Sequence, residues 1–238
     1  MPVDASMHNW LWLGLSGLVG LVLGDYFLFR AYPMIGSRFA MLIMTLAPPM
    51  AAIFGYFILS ESLNLMQMAG MIIVIFGISL DIFNRPVKGE RLSIKISPAG
   101  LLFAFLGALG QGLGIVLSKY GMEGYYAFAS TQIRIIAGVA GFVIIITLLR
   151  RWGNVALALK NPPAMKALLI GAFFGPFLGI SFSLLSVKHT QAGIASTIMA
   201  IVPVLILAPS AWLYKEKITA VEIAGAVISV AGVAFFFI

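Results

Sequence analysis

From Phe39 to Leu59 the chain runs 21 residues without one charged side chain. A helix of that length, rising 1.5 Å per residue, crosses the roughly 30 Å hydrocarbon core of a bilayer. Comparable runs recur along the whole sequence. Of its 238 residues, 61% are apolar and 10% charged, and the mean hydropathy is +1.07, which leaves too little polar surface for a water-soluble domain. The sequence therefore reads as an all-α membrane protein whose first partner is the lipid bilayer.

Apolar runs bounded by polar and breaker residues predict about eight transmembrane helices, at 9–30, 37–59, 65–84, 98–118, 125–149, 166–187, 192–214 and 219–238. Polar connections such as Ser60 to Asn64 and Asn84 to Arg91 separate them. Trp10, Trp12, Tyr120, Tyr126, Trp152 and Trp212 fall near the span ends, where amphipathic rings sit among headgroups. The first run has no basic leader and no small-residue cleavage site, so it reads as a retained span.

The net charge of +7 fits orienting loops rather than nucleic-acid binding. With eight crossings, 12 basic residues fall on one face, Lys119 and Lys188 on the other, and Arg134 inside a span. That sorting puts the basic face in the cytoplasm and both chain ends outside. The absence of cysteine excludes disulfides, thiolate metal sites and cysteine nucleophiles. HExxH, GxSxG and Walker sequences are absent, His8 and His189 lie at span ends, and the glycines from Gly107 to Gly114 follow no strand. No catalytic residue, metal or cofactor is indicated.

Sliding the chain against itself reveals a repeat at an offset of 155, aligning Gly20 to Leu80 with Gly175 to Phe235 without a gap. Thirteen pairs are identical, among them Gly20/Gly175, Gly24/Gly179, Pro48/Pro203, Glu61/Glu216, Gly70/Gly225 and Gly77/Gly232. Glycines, a proline and a loop glutamate in register are hard to obtain from apolar bias alone, so the repeat reads as a duplication. Five spans separate the starts of the two copies, and an odd number makes the copies inverted, as in transporters that rock two halves about a site between them.

Several residues stand out as wall or contact candidates for a small-molecule solute. Pro48 and Pro203 each remove a backbone donor at mid-span and free a carbonyl, which lipid tolerates only where something satisfies it. They are read as shaping cavity walls, against the alternative of static kinks. Asp25 and Arg134 are the most deeply placed charges of the expected spans, and intramembrane charge is costly. Asp25 either faces the solute or pairs with Arg30; Arg134 either braces the bundle, by reaching an interface or capping helix carbonyls, or holds an anionic group. Tyr26, Thr45, Gln111, Ser183 and Thr197 offer neutral hydrogen bonds. The series Gly20-xxx-Gly24 and Gly171-xxx-Gly175-xxx-Gly179 reads as packing faces. Glu61 and Glu216 read as caps of the helices that follow them.

The ordered set of mid-helix proline, acidic connection and small residues in a closing helix, as Pro48, Glu61, Gly70, Gly77 and again as Pro203, Glu216, Gly225, Gly232, resembles the EamA-like members of the drug/metabolite transporter superfamily. Arg134, within Thr131-Gln132-Ile133-Arg134, looks like the arginine early in that family's second helix. The resemblance implies a first half over 9–84 and a second over 98–238, the second with five helices and the first with three of five. It also implies export of amino acids or other small metabolites by alternating access, in the inner membrane of a prokaryote. The two helices lacking from the family pattern point to a chain that begins at an internal methionine, a truncated product, a homodimer, or a second chain supplying them. A complete member would place the connection before the first span in the cytoplasm, opposite to the basic-residue sorting. The fourth span has no glutamate at its middle, where the related small multidrug exporters keep a carboxylate; Gln111 is the only strongly polar residue near that point. A fragment or partner subunit without transport activity is one alternative function; an intramembrane enzyme is the other, and it would need paired acids, a metal triad or an activated nucleophile at membrane depth.

Overall fold

Helix starts are set by short local signals. Ser6 and Asn9 bond reciprocally at the first helix, with Asn9 N donating to Ser6 Oγ at 3.2 Å and Ser6 N to Asn9 Oδ1 at 2.9 Å. Asn64 and Gln67 form the same arrangement at 2.7 and 3.0 Å, and Thr219 with Glu222 repeats it at 3.3 and 2.6 Å. Ser97 and Asn161 each cap a helix that begins with proline, where the missing N–H costs nothing.

The computed structural model describes residues 4–84, 97–205 and 219–237, and every regular element among them is helical. The helices are α1 (Met7–Ser37), α2 (Phe39–Leu59), α3 (Leu65–Asn84), α4 (Pro98–Gly121), α5 (Ala127–Leu148), α6 (Trp152–Leu159), α7 (Pro162–His189), α8 (Ala192–Met199), α9 (Val202–Leu205) and α10 (Ala220–Ala234). At the C-terminal end of α1 stands Gly36 at φ 79°, ψ 153°, a conformation that a residue without a Cβ adopts freely.

The expected eight spans are corrected to six. Among the described residues, α1, α2, α3, α4, α5 and α7 are the helices long and apolar enough to cross a membrane. The seventh expected span, 192–214, breaks after Met199. Ala200 and Ile201 form a turn, because Pro203 has no N–H to offer the carbonyl of Met199; the described part of α9, Val202–Leu205, follows. The eighth, 219–238, is represented by α10, apolar but 15 residues long, short of the ~20 a span needs. Glu216, the basic loop 85–96 and the stretch 206–218 lie outside the described residues.

Segments 155 residues apart share local structure at two places. Gly17–Gly24 of α1 and Phe173–Gly179 of α7 are both wound as π-helix, and the offset of 155 superposes them. Thr45-Leu46 and Ala200-Ile201 are both turns that interrupt a helix just before the paired prolines. The helices α3 and α10, equivalent in the repeat, also pack on one another. A methyl added to Gly77 would lie 2.6 Å from the Gly225 carbonyl, and one added to Gly70 would lie 2.8 Å from the Gly232 carbonyl. Ser229 Oγ donates to the carbonyl of Val74, its own equivalent, at 3.4 Å. Contacts ascending on α3 descend on α10, so the two run antiparallel about a local two-fold axis near Val74 and Ser229.

α4 occupies the centre. Its glycines let neighbouring backbones close in: Gly110 and Gly114 against Gly24 and Gly20 of α1, and Gly112 against Ala47 and Ala51 of α2. This glycine-lined approach is how helices associate in lipid, where no hydrophobic drive separates helix from solvent.

Candidate functional site

The breaks before the prolines leave a cavity of about 570 Å³ between α1, α2, α3, α4, α5, α7, α8 and α9. Its apolar wall includes Met41, Met44, Met199, Pro48 and Ile115. The polar groups in it come from Tyr32, Thr45, Gln111, Arg134, Ser183 and Ser196. A mostly apolar concavity with a few convergent polar groups is the usual form of a small-molecule site, and methionine makes such a wall adaptable.

The charged side of the cavity is built where α1 meets α4 and α5. Gln111 Nε2 donates to Asp25 Oδ1 at 2.8 Å and to the Gly20 carbonyl at 3.2 Å, so the widened turn of α1 receives a side-chain donor from α4. Arg134 of α5 is 5% exposed. Its Nη1 donates to Ser118 Oγ, and that hydroxyl donates to the Gly114 carbonyl at 2.5 Å. The Arg134 Nε is buried and has no hydrogen-bond partner among the described residues. Asp25 and Arg134 lie within electrostatic reach of one another. Among the described residues, Arg134 is thus the one guanidinium lining this largely apolar cavity, held by Ser118 with the Asp25 carboxylate nearby.

Of the residues singled out from sequence, Thr45, Pro48, Gln111, Ser183 and Arg134 line the cavity. Thr45 Oγ1 donates to the Leu42 carbonyl of its own helix at 2.7 Å. Asp25 sits behind Gln111, one bond from the wall. Tyr26 lies away from it, its hydroxyl accepting from Arg30 Nη1 at 3.1 Å, while the Arg30 guanidinium stacks over Tyr26 and Phe103 at 5.6 and 5.5 Å. Arg30 therefore turns to aromatic rings, and Asp25 turns to Gln111. Thr197 is fully buried with its hydroxyl on the Gly193 carbonyl at 2.7 Å; its neighbour Ser196 lines the cavity instead. The backbone of Pro203 belongs to α9, and its ring is outside what is described.

Glu61 does not cap the helix that follows it; Asn64 and Gln67 do. Glu61 reaches across to the start of α8, where Oε2 accepts from Ala192 N at 2.7 Å, and Oε1 pairs with Lys119 Nζ at 2.5 Å. Sequence reasoning passed over Ser118, Ser196 and Lys119, which look ordinary until their partners are known. It also passed over Asp81, which is fully buried within α3 between the cavity residues Ile78 and Ile82. A carboxylate inside an apolar run was the available signal. No group of three histidine, aspartate or glutamate side chains able to hold a metal occurs among the described residues.

The family model described as the EamA-like transporter family matches residues 2–82 and 98–238. An "Uncharacterized transporter" of Clostridium kluyveri is 27% identical over 179 residues, covering 75% of this chain and 56% of the relative; the matched part thus spans little more than half that relative's length. A solved crystal structure shares the fold, with a TM-score of 0.71 and 18% identity over 95% of this chain and 74% of the other.

Proposed function

This chain belongs to the EamA-like transporter family, and on that premise we propose that it is a secondary transporter moving a small metabolite, an amino acid or related compound, outward across a prokaryotic inner membrane by alternating access. It is a multi-pass integral membrane protein, and its family is one of transporters rather than enzymes. The observation that carries the reading is the cavity itself. Equivalent helix breaks, at Thr45-Leu46 and Ala200-Ile201, meet at a 570 Å³ space holding one buried guanidinium. Such a space fits a solute with an anionic head and a modest apolar body: Arg134 takes the head, Thr45, Ser183 and Ser196 offer hydrogen bonds, and the methionines take the body. The breaks supply the flexible points that alternating exposure requires, since the turn before each proline is held by fewer helix hydrogen bonds. Counterflow into proteoliposomes, with a panel of labelled amino acids and related carboxylates, tests it. At least one compound exchanges, and Arg134→Gln lowers that exchange tenfold or more while the protein still folds; no exchange of any compound by folded protein contradicts the proposal.

A second reading, that the chain works with another polypeptide, is favoured by α7. Among the described residues, Gly171 and Gly175 have no atom within 4 Å of where a Cβ would stand, whereas the equivalent face of α1 is covered by α4. A neighbouring helix with small residues four apart fits that face. On this reading Gly175→Leu abolishes transport in cells without lowering the amount of folded protein, and full transport by Gly175→Leu rejects it.

A further inference from the structure

One turn beyond the cavity, three helix ends are tied by a single side chain. Ile115 lines the cavity and Lys119 follows it by one turn of α4; Ser196 lines the cavity and Ala192 precedes it by one turn of α8. Between those ends stands Glu61, which follows the last residues of α2. Its Oε1 pairs with Lys119 Nζ at 2.5 Å and its Oε2 accepts from Ala192 N at 2.7 Å. Lys119 Nζ also donates to the Thr190 carbonyl at 2.5 Å, and Gln191 Nε2 donates to the Ser62 carbonyl at 3.1 Å. The pair is sheltered, its side chains 23% and 14% exposed, so water screens it less than an open surface pair.

Two further features mark this as a built junction. Ser60, immediately before Glu61, stands at φ 55°, ψ 29°, a left-handed conformation that costs a residue with a Cβ roughly 1–2 kcal/mol. That turn, with Glu61 N donating to the Gly55 carbonyl at 3.1 Å, aims the carboxylate sideways at α8 instead of along the chain. Beside Lys119 lies a second void of about 440 Å³, lined by Leu59, Ser60, Lys119, Glu123 and Lys188. Lys119 thus belongs to a vestibule carrying two ammonium groups and one carboxylate, while Ile115, one turn back on α4, lines the solute cavity.

Resting on the transport reading above, we propose that the Glu61–Lys119 pair, anchored on Ala192 and Thr190, is a gate that holds the cavity shut toward the vestibule. Opening this end separates the ends of α2, α4 and α8. Each then loses its partner together, because one carboxylate serves both the ammonium and the start of α8. An anionic solute passing outward meets Lys119 as Glu61 leaves it, so the exposed charge is met rather than stranded.

The chain contains no cysteine, so a single introduced thiol reports access without reference to transport. Ser60→Cys, on the vestibule, identifies the membrane face from which a charged, impermeant thiol reagent enters. Ser196→Cys, on the cavity wall, is then labelled from that face. The expected result is slow labelling in the otherwise unaltered chain and at least tenfold faster labelling when Glu61→Gln or Lys119→Gln is added, while Lys119→Arg, which keeps the charge, stays at the slow rate. If Glu61→Gln does not fold, Lys119→Gln decides. Unchanged labelling in the folded neutral variants overturns the gate, as does labelling of Ser196→Cys as fast as Ser60→Cys with the pair intact. Either result leaves the transport proposal standing if counterflow persists, so the two claims fail separately.

Discussion

Gly17–Gly24 of α1 and Phe173–Gly179 of α7 are equivalent in the repeat, share glycines at matching positions, and are both wound as π-helix. Their surroundings differ completely. In the first, the Gly20 position faces Gly114 and the Gly17 position faces the Arg134 carbonyl; in the second, Gly175 faces nothing within 4 Å among the described residues. The local sequence thus specifies the backbone widening in both copies, and it specifies a capacity for close approach, but among the described residues a neighbour uses that capacity in the first copy only. The polar chemistry follows the same division, since Gln111 satisfies the widened turn of α1 through the Gly20 carbonyl.

Substitutions can break or sharpen that contrast. The largest effect falls on Gly114→Leu, because a Cβ there stands 2.6 Å from the Gly20 Cα and neither backbone can yield cheaply. We expect a loss of about 3 kcal/mol, the upper end for overpacking, seen as a lower melting temperature in detergent. Gly175→Leu, in open space, should stay within about 0.5 kcal/mol of the parent; equal losses at the two sites would remove the distinction. Next comes Gln111→Leu, which strands both Asp25 Oδ1 and the Gly20 carbonyl. It should cost about 1–3 kcal/mol and lower solute exchange as well. Ser118→Ala takes the partner from the Arg134 guanidinium and should cost about 1–2 kcal/mol. The smallest effect belongs to Tyr26→Phe, where an exposed bond to Arg30 is lost while the ring beneath the guanidinium remains, leaving stability within about 0.5 kcal/mol.

Much of this organisation is legible in sequence because lipid makes it so. Charge-free runs such as Phe39 to Leu59 announce helices, and glycines, prolines and Glu61/Glu216 in register announce the repeat. What periodicity does not contain is whether a helix runs unbroken up to a proline: a turn at Ala200-Ile201 interrupts the expected seventh span just before Pro203. Nor does spacing reveal which of two adjacent hydroxyls faces a cavity, so Thr197 turned out to serve Gly193 while Ser196 lines the wall. Glu61 is the sharpest case. Its position before α3 points to a local cap, yet the left-handed turn at Ser60 redirects it to α8, more than a hundred residues away in sequence. Long-range partners of a single charged side chain are decided by tertiary packing, which no local pattern records.

That the space framed by Thr45, Gln111, Arg134, Ser183 and Ser196 is the solute path can be tested most directly by protection. With Ser183→Cys as the sole thiol in proteoliposomes, alkylation should slow severalfold when an exchanging solute is present, with half-protection at the concentration that half-saturates exchange. Alkylation indifferent to a solute that the same protein carries would contradict the account.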